Sequence, residues 1–137
     1  MGTAGVSEVL FATDYSDASR AAGRLAADLA RRFGARLHVV HAVPPVTDPG
    51  PPERLAEVVA ALGTGLDVVP AVVFGRPARE IVAYASRHGI DMIVVGTHGR
   101  RGVSRAVLGS VSAAVVRRAR CPVLTVPAGE DRSDRVS

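Results

Sequence analysis

Asp91-Met92-Ile93-Val94-Val95-Gly96-Thr97-His98-Gly99 passes from a short apolar run into a glycine turn. Nine residues later the chain reads Gly109-Ser110-Val111-Ser112-Ala113-Ala114-Val115-Val116. The apolar run suits a strand buried on both faces of a parallel sheet. The second stretch suits a helix, with Ser110 as its N-cap and Arg117, Arg118 and Arg120 in its last turn, where cations complement the dipole. Three glycines and a hydroxyl therefore stand between a strand and a helix N-terminus. Glycines permit positive φ and close backbone approach, and the first amides of the helix point at whatever anion sits there. The alternative reading of the same residues is a glycine-rich connection with a serine cap.

Working outward, apolar runs alternate with helical periodicity along the whole chain. The spacing predicts strands over Val6 to Thr13, Arg36 to Ala42, Leu66 to Phe74, Asp91 to Gly96 and Pro122 to Val126. Helices are predicted over Asp17 to Phe33, Pro52 to Leu62, Pro77 to His88 and Ser110 to Ala119. Such βαβαβαβαβ alternation implies an α/β fold, a doubly wound parallel sheet of five strands with right-handed crossovers and helices on both faces. Ser16 or Asp17 can cap the first helix and Gly34 can close it; Pro77 suits a first helical turn and Gly89 can end the third helix. Pro44 to Pro52 reads as a loop, and the polar stretch 129–137 as a frayed tail.

The chain has 137 residues, enough for one domain, here 1–137, that buries about two-thirds of its unfolded surface without staples. Apolar residues make up 47%, but no run of them is long enough to span a membrane, and the start lacks the pattern of a signal peptide, so a cytoplasmic protein is expected. The single cysteine, Cys121, reads as a small buried hydrophobe. All 17 cationic side chains are arginine, for a formal charge of +4. Without lysine there is no P-loop lysine and no Schiff base, so Gly102 to Ser110 is not a Walker A loop. The arginines are dispersed and aromatics amount to 4%, which argues against nucleic acid as a partner.

The turn also resembles, nearly position for position, the G-x2-G-x9-G-[S/T] signature of the nucleotide-binding branch of the universal stress protein family. The likeness runs from Val9-Leu10-Phe11-Ala12-Thr13-Asp14-Tyr15-Ser16 to Cys121-Pro122-Val123-Leu124-Thr125-Val126. The resemblance implies a Rossmann-like strand order 3-2-1-4-5, which sets Thr13 and Asp14 beside Gly96. It further implies ATP, or another adenine nucleotide, with its ribose and phosphates on Gly96, Gly99, Gly109, Ser110, Val111 and Ser112, the hydroxyls of Ser110 and Ser112 receiving phosphate oxygens. Asp14 would accept from the ribose, with a helix N-cap as its alternative role. Adenine would meet backbone groups at Ala42, where the family usually has valine. His98 and Arg100, with Arg101 and Arg105, could neutralise a triphosphate or serve as solvated loop charges. Mg²⁺ or Mn²⁺ would come with the phosphates, since His38 and His41 show no metal-site spacing.

No nucleophile and base pair is legible, so at most slow ATP hydrolysis is expected. The reading is thus a regulatory stress-response module that binds ATP and acts on an unidentified protein partner. It would form a homodimer through the apolar, uncharged last strand, Pro122 to Val126. The alternatives are a nucleotide-free dimerisation module of the same fold and an ATP-pyrophosphatase-type enzyme. The latter carries a Ser-Gly-Gly-x-Asp-Ser loop where this chain has Thr13-Asp14-Tyr15-Ser16.

Overall fold

In the computed structural model, which describes residues 5–97 and 109–128, the expected alternation is present. The elements are β1 (Glu8–Ala12), α1 (Asp17–Phe33), β2 (Arg36–Val43), α2 (Pro52–Ala61), β3 (Asp67–Phe74), α3 (Pro77–Arg87), β4 (Met92–Gly96), α4 (Ser110–Arg118) and β5 (Val123–Val126). The strands form one parallel sheet in the order β3-β2-β1-β4-β5. The tail 129–137 lies outside the described residues.

Alternation along the central strands sorts the core into two layers. Val9, Phe11, Leu37, Val39 and Val94 pack with Ala22, Ala26, Ala27 and Ala30 of α1 and Leu55 of α2. Leu10, Val40, Ile93 and Val95 pack on the other face with Ile81 and Tyr84 of α3 and Val115 of α4. The buried face of α1 consists of Ser19, Gly23 and alanines, so its backbone can seat close to the sheet. Ser16 is its N-cap, accepting from the Ser19 N–H at 3.3 Å, and Gly34 closes it at φ 63°.

Two expected helix ends shift. The cap of α4 is Gly109, with Ser110 already the first helical residue, because the extended backbone belongs to Gly109 (φ −68°, ψ 166°). Its φ is negative, so no left-handed geometry requires glycine there. The helix ends at Arg118, which leaves Arg120 outside its last turn. Helix α3 ends as expected, with His88 as its cap and Gly89 directly after it at φ 60°, the left-handed position at which a glycine closes a helix.

The start of β1 is fastened by Asp91, whose Oδ2 accepts from Ser7 N (2.9 Å), Glu8 N (2.9 Å) and Ser7 Oγ (3.2 Å). These bonds, the Ser7 amide foremost, hold the Asp91 carboxyl below its ordinary value against a smaller opposing effect of burial. A depressed carboxyl contributes stability that is present above the unfolded value of about 3.9 and lost as pH falls through the lower folded value. Asp91→Asn is therefore expected to cost about 1 kcal/mol at neutral pH, the site being partly exposed, and to flatten the acid limb below about pH 4. Thermal melts across that range check both.

His38, which the sequence leaves without a role, is a fully partnered core histidine at the opposite end of the sheet from the loops that follow the strands. Its Nε2 lies 2.7 Å from Glu8 Oε1 and its Nδ1 2.7 Å from the Tyr84 hydroxyl. A neutral ring with the proton on Nε2 satisfies both contacts. Burial pushes the Tyr84 phenol up, opposed by Arg87. Cys121 is half-buried against the α3/α4 layer, and burial raises its thiol, in keeping with an apolar role.

Candidate functional site

Strand order reverses at β1, whose chain leads to β2 on one side while β4 joins from the other. Ligands of open α/β sheets occupy the crevice beyond the carboxyl ends of the strands at such a point. A cleft of about 390 Å³ lies there, walled by the ends of β1, β2 and β4, the loop after β2 and the first turn of α4. Thr13, Asp14, Ala42, Gly96, Val111 and Ser112 all line it. Gly109 is buried and Ser110 exposed at the head of α4, and neither forms part of the wall. His98, Gly99 and Arg100, with Arg101 and Arg105, lie outside the described residues.

The β1 end is built by hydroxyls. Thr13 N–H continues the sheet ladder to Val40 O (2.9 Å), and Thr13 Oγ1 accepts from Tyr15 N–H (3.1 Å). Ser19 Oγ donates to Ser16 O (2.8 Å), so the 3.2 Å contact between Thr13 and Ser19 has Thr13 as donor. Asp14 does not cap α1. Its Oδ1 accepts from Ser16 N–H (2.9 Å), closing a turn just ahead of the helix and leaving the cap itself to Ser16. Inside that turn Tyr15 takes φ 67°, a left-handed conformation costly for an aromatic residue. Its ring lies 4.2 Å from the His41 ring and 4.2 Å from the Arg54 guanidinium carbon. Burial raises the Tyr15 phenol, with Arg54 opposing. His41 Nδ1 sits 2.8 Å from Thr13 O, and because a carbonyl only accepts, that nitrogen carries the proton.

At the β2 end, Val40 O bonds to β1 while Val43 O accepts from Gly75 N–H on the β3 side. Backbone groups alternate sides along a strand, so Ala42 N–H and C=O face the β1 side. Strand β1 ends opposite Val40, so these two groups border the cleft rather than a neighbouring strand.

At the α4 end, the first helical bond runs from Ala113 N–H to Gly109 O (2.9 Å). The amides of Ser110, Val111 and Ser112 precede it and have no intrahelical acceptor. Ser112 Oγ donates to Gly96 O at 2.7 Å. The bond fastens α4 to β4 and engages the proton that the sequence offers to a phosphate oxygen. A Cβ at Gly96 would come within 2.6 Å of Ala18 O, so this glycine admits the backbone of α1 as well as lining the cleft.

Sequence reasoning missed Tyr15, His41, Arg54 and Thr97 as wall residues. The left-handed Tyr15 and the arrival of Arg54 from α2 are set by tertiary placement. Thr97 carried a legible signal, as a polar residue directly after a buried strand. No group of three or more His, Cys, Asp or Glu among the described residues is arranged to hold a metal ion. No described helix is long and apolar enough to cross a membrane.

The model of the universal stress protein family matches residues 6–127. A universal stress protein of Thermus aquaticus is 42% identical over 132 residues, covering 86% of this chain and 96% of that relative. Among solved structures, a universal stress protein in complex with cAMP superimposes with a TM-score of 0.74 at 26% identity, covering 92% of this chain and 100% of its own. The universal stress protein of Archaeoglobus fulgidus in complex with dAMP has a TM-score of 0.71 at 26% identity, covering 90% and 99%. With the family model spanning all nine elements and the strand order that the signature implies present in the sheet, this chain belongs to the universal stress protein family.

Proposed function

We propose that the cleft binds an adenine nucleotide, ATP or a monophosphate, and that the bound nucleotide biases the interactions of a regulatory module. The observation that carries this is the pairing of two backbone donor sets across one cleft. Ala42 offers an N–H and a C=O of the kind that reads an adenine edge, and the first amides of α4 offer donors to phosphate. Asp14, on the wall between them, would accept from ribose hydroxyls. The relatives solved with cAMP and dAMP support an adenine nucleotide as the ligand class. Mg²⁺ or Mn²⁺ would accompany a triphosphate through its own oxygens. The reading assigns no catalytic residue and at most slow hydrolysis. A cytoplasmic location, a homodimer through β5 and an unidentified regulatory partner belong to the same proposal.

Calorimetry tests it. ATP is expected to bind in the micromolar range, and Asp14→Asn to weaken it at least tenfold, about 1.4 kcal/mol. Asparagine keeps an oxygen for the Ser16 amide but loses the charge and the second acceptor. Equal affinity in a correctly folded Asp14→Asn protein would contradict the ribose assignment, and a wild-type protein that binds no adenine nucleotide would favour the nucleotide-free module.

A further inference from the structure

We propose that a second cavity, between α1 and α2, binds a small organic carboxylate, with its apolar body against Phe11 and Leu62 and its head among Arg20, Arg24 and Arg54. The cavity has a volume of about 330 Å³, a size that holds a small molecule. Tyr15 and Arg54 line both this cavity and the cleft at the strand ends, but no residue of β2, β4 or α4 reaches it. It is therefore a separate site, and the inference stands apart from the nucleotide reading. Its depth is apolar. A Cβ at Gly23 would lie 2.8 Å from Phe11 Cε2 and 3.4 Å from Leu62 Cδ2, so the bare α1 backbone seats on these two side chains, and Val58 and Ala61 of α2 complete the apolar wall. The polar groups at depth are already engaged. Thr13 and Ser19 hydroxyls lie 3.2 Å apart, and Ser16 Oγ accepts from the Ser19 amide. The buried part of a ligand thus finds no polar partner and has to be apolar.

The rim supplies the charge. Arg20 and Arg24 stand one turn apart on α1, where like charges repel, and Arg54 joins them from α2. Arg20 pairs with Asp17 at 3.3 Å, but both side chains are largely exposed and such a pair is weak. Among the described residues no ion pair engages Arg24 or Glu57, the carboxylate of the rim. Three guanidinium groups against the carboxylates of Asp17 and Glu57 leave one positive charge in surplus, which a monoanion matches. Arg54 lies flat enough over the Tyr15 ring, at 4.2 Å, to keep its N–H fork for a ligand. A carboxylate takes two parallel N–H bonds from such a fork. An apolar floor under a rim with one surplus positive charge therefore fits a carboxylate on a hydrocarbon body.

Titration with octanoate, followed through backbone amide resonances, tests the site. Saturable shifts with a common affinity below millimolar are expected at Gly23, Arg24, Val58 and Leu62, with Ala42 and Val111 in the other cleft unmoved. Octanamide, which has the same chain and no charge, should bind about tenfold more weakly. Arg24→Glu should also weaken octanoate about tenfold, whereas Arg87→Glu makes the same change of charge on α3, away from the cavity, and should leave it unchanged. Arg24 and Arg87 are exposed, so neither substitution disturbs the core. Ala61→Trp, at an exposed position of the wall, should fill the cavity and abolish saturation. Shifts that do not saturate, or that appear at Ala42 and Val111 instead, would overturn the proposal. So would octanamide binding as tightly as octanoate, or equal losses in the Arg24 and Arg87 variants. A protein that binds octanoate here and no adenine nucleotide overturns the nucleotide reading alone; the reverse result overturns this one alone.

Discussion

Gly96→Ala is expected to destabilise the ligand-free protein by about 3 kcal/mol, a fall of roughly 10 °C in melting temperature. The added Cβ would lie 2.6 Å from Ala18 O and 2.9 Å from Ala18 C, both backbone atoms at the head of α1. No rotamer relieves such a contact, so α1 must back away from β4. That motion loosens a seat made of Ser19, Gly23 and alanines, whose close approach to the sheet carries the packing of this layer. Urea or thermal denaturation without nucleotide is the deciding measurement. A variant as stable as wild type would mean that the glycine serves only a ligand, as its place in the motif first suggests.

Thr125→Pro is expected to turn a homodimer into a monomer while leaving the monomer folded. Strand β5 is an edge, and its bonds to β4 run from Ile93 N–H to Pro122 O and from Thr97 N–H to Val126 O. Alternation then directs the backbone groups of Val123 and Thr125 outward, where a second copy pairing antiparallel would meet them. Proline at 125 removes one outward N–H and obstructs the approach, but no bond to β4 is lost. The dimer should weaken at least a hundredfold, read by light scattering at tens of micromolar. Leu124 is a poorer probe, because it packs against the α1 layer and its replacement would disturb the core itself. A wild-type protein that is monomeric at these concentrations contradicts the pairing.

The architecture was largely legible because each element carried its own signal. Helix α1 begins at Asp17 and ends at Phe33 as the periodicity and Gly34 require. The strand order was not in the periodicity. It entered through the likeness to a family, since a pattern of apolar residues says that strands are parallel but not which are neighbours. The site was legible in outline, but not the packing that its residues also carry. The sequence does not show that the Ala18 backbone lies against Gly96. Nor does it show that Ser112 donates to the Gly96 carbonyl, sixteen residues away in the chain. Arg54 and Tyr15 meet only because α2 folds back over the end of β1, a placement no local pattern encodes.

Titration of ATP into the ligand-free protein, followed residue by residue through backbone amide resonances, tests the central claim most directly. The account predicts saturable shifts at Ala42, Thr97, Val111 and Ser112, and none at Glu8, His38 and Tyr84 at the far end of the sheet. Saturation confined to the far end, or no saturable shift up to millimolar ATP, would contradict it.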